Sequence, residues 1–172
     1  AGAELQKLVT GSYFFWNSGY SMQKSQTGLL QSLLYQVLSA CPDLILETCA
    51  DHRAGEPWSR NELSTALKLV LRHMLLPAKF CFFADGLDEY EGDDKEIIRL
   101  LQDLAISPNV KICVSSRPWN AFVDAFDDMK WKLALENFTK DDMLRYVRNT
   151  LAKDDKFASL AKQDPRCNSL VP

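Results

Sequence analysis

Apolar residues fall into two rhythms along this 172-residue chain. Four short runs are nearly continuous: Lys7–Trp16 (KLVTGSYFFW), Lys79–Ala84 (KFCFFA), Val110–Ser115 (VKICVS) and Trp131–Leu135 (WKLAL). Runs of this length, rich in β-branched and aromatic residues, predict strands. Between them the period changes. Leu29, Leu30, Leu33, Leu34, Val37 and Leu38 repeat as one broad apolar face of a helix. Leu63, Ala66, Leu67, Val70, Leu71 and Met74 predict a second helix, Ile97, Ile98, Leu101 and Leu104 a third, and Met143, Leu144, Val147 and Leu151 a fourth. Ser59 with Glu62, and Asp93 with Glu96, have capping-box spacing. Thr139 precedes Asp141 and Asp142, as at a helix start whose dipole favours acids. That cap also competes with a glycosylation reading of Asn137-Phe138-Thr139.

Strands that are apolar throughout, alternating with helices, predict an α/β fold with a parallel sheet covered on both faces. The segment from Lys79 through the Ile97 helix to Ser115 reads as one right-handed βαβ crossover. Residues 1–152 then form the core, and 153–172 a short helix near Phe157–Lys162 with a frayed tail. Phe82, Leu101, Ile112, Val114, Leu33 and Val37 are expected in the interior.

Composition narrows the classes. With 47% hydrophobic and 25% charged residues the chain is of globular type rather than disordered. A net charge of −3 with no basic face argues against nucleic acid as a partner. No apolar run reaches the roughly 18 residues of a membrane span. The five cysteines are odd in number, and Cys81 and Cys113 sit in apolar runs as small hydrophobes, which suits a reducing, cytoplasmic setting. Cys41, Cys49 and His52 lack a fourth ligand at zinc-site spacing. Ala1 opens the chain with no initiator Met and no leader, as expected of a piece of a longer protein.

The candidate chemistry lies where apolar runs stop. Phe80-Cys81-Phe82-Phe83-Ala84 delivers Asp85 to the carboxyl end of a buried strand, followed by Asp88 and Glu89. Ligands of parallel sheets bind beyond that end. A carboxylate there suits a hydrated Mg²⁺ beside a phosphate, and Glu89 could orient or activate a water. The competing reading is a solvated acidic loop, because residues 85–96 hold seven acids and one Lys. Cys113-Val114-Ser115-Ser116-Arg117 ends a second run in the same way. The guanidinium fork of Arg117 matches phosphate oxygens, or else pairs with the acidic cluster for structural reasons. No P-loop is present. Gly19 to Ser25 comes nearest, but Gln23 stands where the second glycine is needed, so Lys24-Ser25 reads as the opening of the Leu29–Leu38 helix.

FFADGLDEYEGD, VKICVSSRPW and LENFTKDDMLRYV, taken in that order, resemble the middle of a NACHT-type P-loop NTPase of the STAND class. SYFFWNSG with QKSQTGLLQSLLYQVL resembles the segment that fungal NLR-like proteins with a nephrocystin 3-like N-terminal domain carry after their P-loop helix. The resemblance spans roughly Leu8 to Leu151. It implies a three-layer P-loop NTPase-like sheet lacking its P-loop strand, in a nucleotide-dependent signalling switch. Asp85 would be the Walker-B Mg²⁺ ligand, Asp88 and Glu89 the catalytic acidic pair, and Arg117 the sensor-1 arginine at the γ-phosphate. ATP or GTP with Mg²⁺ would belong to the complete parent domain, with none held tightly by this chain alone. Partners would be other proteins, through downstream repeats or self-oligomerisation.

In that family the P-loop strand lies between the Arg117 strand and the Trp131–Leu135 strand. Its absence predicts direct pairing of these two or an open slot, and with either a marginally stable, self-associating chain. The rival functional reading is a non-enzymatic NACHT remnant that serves as an interaction module. A HAD-like phosphohydrolase would need D-x-D, which Asp85-Gly86-Leu87 does not supply.

Overall fold

The computed structural model describes residues 7–53, 55–72, 78–151, 153–164 and 166–167. The chain divides into two compact units, residues 1–128 and 129–172. The expected core, 1–152, includes parts of both.

The first unit is a small α/β domain. Its parallel sheet has three strands, β1 (Lys7–Phe14), β2 (Ala78–Asp85) and β3 (Val110–Val114), side by side in chain order. Val9 faces Phe80, Phe82 faces Ile112, and Phe14 ends level with Asp85. Between β1 and β2 come α1 (Gln26–Ala40), the short α2 (Ile45–Thr48) and α3 (Arg60–Leu71); between β2 and β3 comes α4 (Asp94–Ala105), and α5 (Asn120–Phe126) follows β3. Ser25 caps α1 by accepting from the Gly28 N–H, so Lys24-Ser25 is a helix opening. Ser59 and Glu62 form the reciprocal box that starts α3. Asp93 caps α4 through the Lys95 N–H alone, while Glu96 turns to Arg60 at 3.2 Å.

The apolar stripes do what their period demands. Leu29, Leu33, Val37, Leu67, Ile97 and Leu104 are sealed at 2% exposure or less, packed with Phe80 and Phe82 from the sheet. Leu101 is buried too; Ile112 and Val114 are only half-buried. The sum of apolar areas makes this one core, stabilised chiefly by removal of its side chains from water. Met74 of the second stripe lies outside the described residues.

The expectation of helices on both faces is not met. Leu8, Phe14 and Phe83, which alternation puts on the opposite face, are 63%, 63% and 45% exposed, and Cys113 is exposed beside them. The reason is strand order. Each step from β1 to β2 to β3 moves the same way across the sheet, and right-handed crossovers then leave every connecting helix on one face. Coverage of the second face requires a reversal of direction, which the described residues do not contain. The described residues of the first unit therefore form two layers.

Trp131–Leu135 is not a strand: it is irregular chain leading into α6 (Glu136–Leu151). Trp131, Leu133 and Leu135 alternate as in a strand, yet all three are exposed and none is paired into a sheet. Direct pairing of this segment with β3 does not occur, and β3 has no strand on its outer side among the described residues. Thr139 is not a cap either. It lies inside α6 and its hydroxyl donates to the Leu135 carbonyl at 3.2 Å. The tail helix appears as α7 (Asp155–Gln163), and residues 168–172 lie outside the described residues. No single helix among the described residues is long and apolar enough to cross a membrane.

Candidate functional site

At the carboxyl end of β2 the chain turns sharply. Gly86 has φ +72°, in the left-handed region where a Cβ is disfavoured, and an added Cβ would stand 3.3 Å from the Phe15 carbonyl oxygen. One tight turn, Leu87–Glu89, follows, anchored by Leu87 at 0% exposure. The turn is tied to the end of β3: Ser115 N–H donates to the Ala84 carbonyl at 3.0 Å, and Leu87 N–H to the Ser115 carbonyl at 2.9 Å. Asp85 and Arg117 thus emerge from neighbouring parallel strands at the same edge of the sheet.

The four residues singled out in the sequence meet there, in different states. Asp85 is exposed and accepts a hydrogen bond from the Ser115 hydroxyl. That hydroxyl oxygen in turn accepts from the Gly86 N–H at 3.2 Å. Asp88 points inward, its side chain only 6% exposed, and its carboxylate takes both the Arg117 backbone N–H at 3.0 Å and Arg117 Nε at 3.3 Å. The Arg117 side chain nevertheless stays 73% exposed. Glu89 accepts from the Asn17 N–H at 2.8 Å and so fastens the loop after β1 to the turn after β2.

That loop is where a phosphate cradle would be sought, and its geometry is not one. Residues Ser21–Lys24 form a single 3-10 turn, Gln23 Oε1 accepts from the Tyr20 N–H at 3.0 Å, and Lys24 Nζ pairs with Glu91 at 2.9 Å. Lys24 is committed to an acid of the neighbouring turn. Phe15 and Tyr90 meet edge to face behind it, with ring centroids 5.9 Å apart. Burial raises the Tyr90 phenol above its ordinary range, and it accepts from Gln26 Nε2 at 3.1 Å.

Chemically, the edge offers one carboxylate with an open oxygen, a hydroxyl beside it and one arginine. That set fits a hydrated Mg²⁺ on Asp85, since Mg²⁺ keeps most of its waters and asks for one or two protein oxygens. It does not fit a cation that needs a protein cage, and no group of three metal-ligating side chains occurs among the described residues. Cys41 is buried, and His52 stacks on Trp58 with centroids 3.8 Å apart. The sequence reading of Cys81 and Cys113 as core thiols is corrected: Cys81 is half-buried and Cys113 exposed. A cavity of about 490 Å³ lined by Tyr13, Leu34, Tyr35, Leu38, Trp58 and Leu63 shares no residue with the candidate edge.

Sequence reasoning gave no role to Ser115 or Asn17. Ser115 was visible as the first hydroxyl after an apolar strand. The Asn17 contact, made by a backbone N–H 72 positions from Glu89, had no signal in the sequence.

The family model described as Nephrocystin 3, N-terminal, matches residues 3–117, which takes in β1 through Arg117. Comparison with the curated proteins and with the solved structures returns no significant match.

Proposed function

The chain belongs to the nephrocystin 3 N-terminal family, and on that premise we propose that its carboxyl sheet edge is the Mg²⁺- and phosphate-facing part of a nucleotide-dependent signalling switch of the NACHT type. The observation that carries the reading is the convergence of Asp85 and Arg117 on one edge, with buried Asp88 holding Arg117 from behind. Asp85 would hold the hydrated Mg²⁺, whose positive charge offsets the charge of the phosphates. Arg117, fixed at Nε, would turn its remaining N–H donors toward a phosphate oxygen. Glu89 is committed to Asn17, so its part is to hold the loop rather than to take a proton from water.

The phosphate cradle, the P-loop architecture and the cytoplasmic setting belong to the same proposal. They would be completed by chain outside these described residues. A second reading has its own support: Arg117–Asp88, Glu89–Asn17 and Asp85–Ser115 already satisfy one another, as suits a NACHT remnant used for protein contacts.

Titration of the chain with a fluorescent ATP analogue, with and without Mg²⁺, separates the two. The switch reading expects weak, Mg²⁺-dependent binding that saturates only in the millimolar range and disappears in Asp85→Ala. Absence of saturable binding, or binding indifferent to Asp85→Ala, contradicts it and leaves the interaction module.

A further inference from the structure

The carboxylate assigned to Mg²⁺ is held by a residue of the neighbouring strand. Asp85 is exposed and belongs to the open face of the sheet, which no described helix of the first unit covers. In water, a side chain there has several staggered χ1 settings and little packing to choose among them. Mg²⁺ is exacting about geometry: it takes few protein oxygens, in a near-ideal octahedron. A single carboxylate free to turn is therefore a poor ligand.

Ser115 supplies the restraint. Ala84 and Val114 are the last paired level of β2 and β3, so Asp85 and Ser115 leave the sheet side by side, one step further on. Residues level with one another in a parallel pair share a face. Ser115 is itself pinned by backbone and side chain. Its N–H donates to the Ala84 carbonyl at 3.0 Å, and its carbonyl accepts from the Leu87 N–H at 2.9 Å. Its hydroxyl oxygen accepts from the Gly86 N–H at 3.2 Å. A hydroxyl has one hydrogen to give, and this one gives it to Asp85 Oδ1. Among the described residues Asp85 Oδ2 accepts no hydrogen bond. Gly86 N–H, Ser115 Oγ and Asp85 Oδ1 thus form a short relay from the left-handed turn after β2 to the carboxylate.

We propose that Ser115 is the positioning residue of this site, acting through Asp85: it holds Oδ1 and leaves Oδ2 available to a hydrated Mg²⁺. This role rests on the reading of Asp85 as the Mg²⁺ ligand. Loss of a partner that orients a metal ligand typically weakens the metal by 10- to 100-fold, and a bond open to water belongs at the lower end, about tenfold.

Trace Mn²⁺ reads the site without nucleotide or turnover, because it shares the preference of Mg²⁺ for carboxylate and water oxygens and broadens nearby amide signals. In the parent chain the broadening should reach Asp85 to Leu87, and it should vanish there in Asp85→Ala. Ser115→Ala, a change at an exposed position, should leave the amide spectrum elsewhere in place. It should require about tenfold more Mn²⁺ for the same broadening at Gly86 and Leu87. Ser115→Thr, which keeps the hydroxyl, should restore the parent response, and Ser116→Ala should match the parent. Equal broadening in the parent and in Ser115→Ala, with the Asp85→Ala loss intact, overturns the proposal and leaves the Mg²⁺ site standing. A Ser115→Thr chain as weak as Ser115→Ala, or a Ser116→Ala chain equally weak, overturns it too, since the Ser115 hydroxyl is then not what matters. Broadening indifferent to Asp85→Ala removes the metal site itself, and the proposal with it.

Discussion

Phe82 and Phe83 are neighbours on one strand, yet one is 1% exposed and the other 45%. Both sit in the same apolar run: β2 carries Ala78, Phe80, Phe82 and Ala84 on one face, and on the other Cys81 and Phe83 between Lys79 and Asp85. The difference is made by connectivity. Helices α1 and α4 lie over the Phe82 face because every crossover travels in one direction, and nothing among the described residues of the first unit returns to cover the other. Strand composition therefore records what a face is built to bury, while strand order decides which face its own helices can reach.

Substitution along β2 tests this contrast most severely. Phe82→Ala should cost about 3–5 kcal/mol of unfolding free energy through lost burial and a cavity among Leu33 and its neighbours. Phe83→Ala should stay within about 0.5 kcal/mol when measured on dilute monomer. Urea denaturation of the two variants reads both values, and equal losses would mean that the second face is covered after all.

The edges of the sheet differ as well. On β1, the Gln36 side chain fills the role of a neighbouring strand, accepting from the Ser12 N–H at 3.0 Å and donating to the Ser12 carbonyl at 2.9 Å. Edge strands left bare invite pairing with other chains. Gln36→Ala should cost about 1–2 kcal/mol for two half-buried hydrogen bonds and raise aggregation on heating, seen by light scattering. Gly86→Ala probes the turn that launches the candidate edge. It should cost about 1–2 kcal/mol for its left-handed backbone, with the thermal midpoint as readout.

A further small effect is expected at the start of α3. The Ser59 hydroxyl and then the Ser59 backbone N–H hold the Glu62 carboxyl below the ordinary glutamate range. A depressed carboxylate stabilises the fold above its unfolded pKa, and that contribution is lost as pH falls through the lowered folded value. Ser59→Ala removes this contact together with the cap on the Glu62 N–H and should lower stability at neutral pH. The gap from the parent should narrow in acid, as thermal melts at a series of pH values would record.

Period and punctuation made most of the first unit readable. The apolar face of α1, the Ser59 box and the three strands with Asp85 and Arg117 at their ends are local features, each carried by neighbouring residues. Two misreadings came from properties that are not local. WKLAL has the alternation of a strand but makes no strand pair, and the two-face expectation rested on composition without strand order. Helix α5 was legible and was passed over: Ala121, Phe122, Ala125 and Phe126 repeat at helical spacing, and Phe122 is 2% exposed. In the candidate site, residue types at strand ends pointed to the edge. The burial of Asp88 against Arg117 and the capture of Glu89 by Asn17 depend on side-chain direction, which spacing does not encode.

Mapping Mg²⁺–ATP onto the chain by amide chemical shifts tests most directly the claim that the carboxyl edge of the sheet holds the chemistry. The account predicts Mg²⁺-dependent shifts in residues 85–89 and 115–117, absent in Asp85→Ala, with Leu8, Thr10 and Lys111 at the far end of the open face unmoved. Shifts centred on the open face or on the cavity beside Trp58, with residues 85–89 silent, would contradict it.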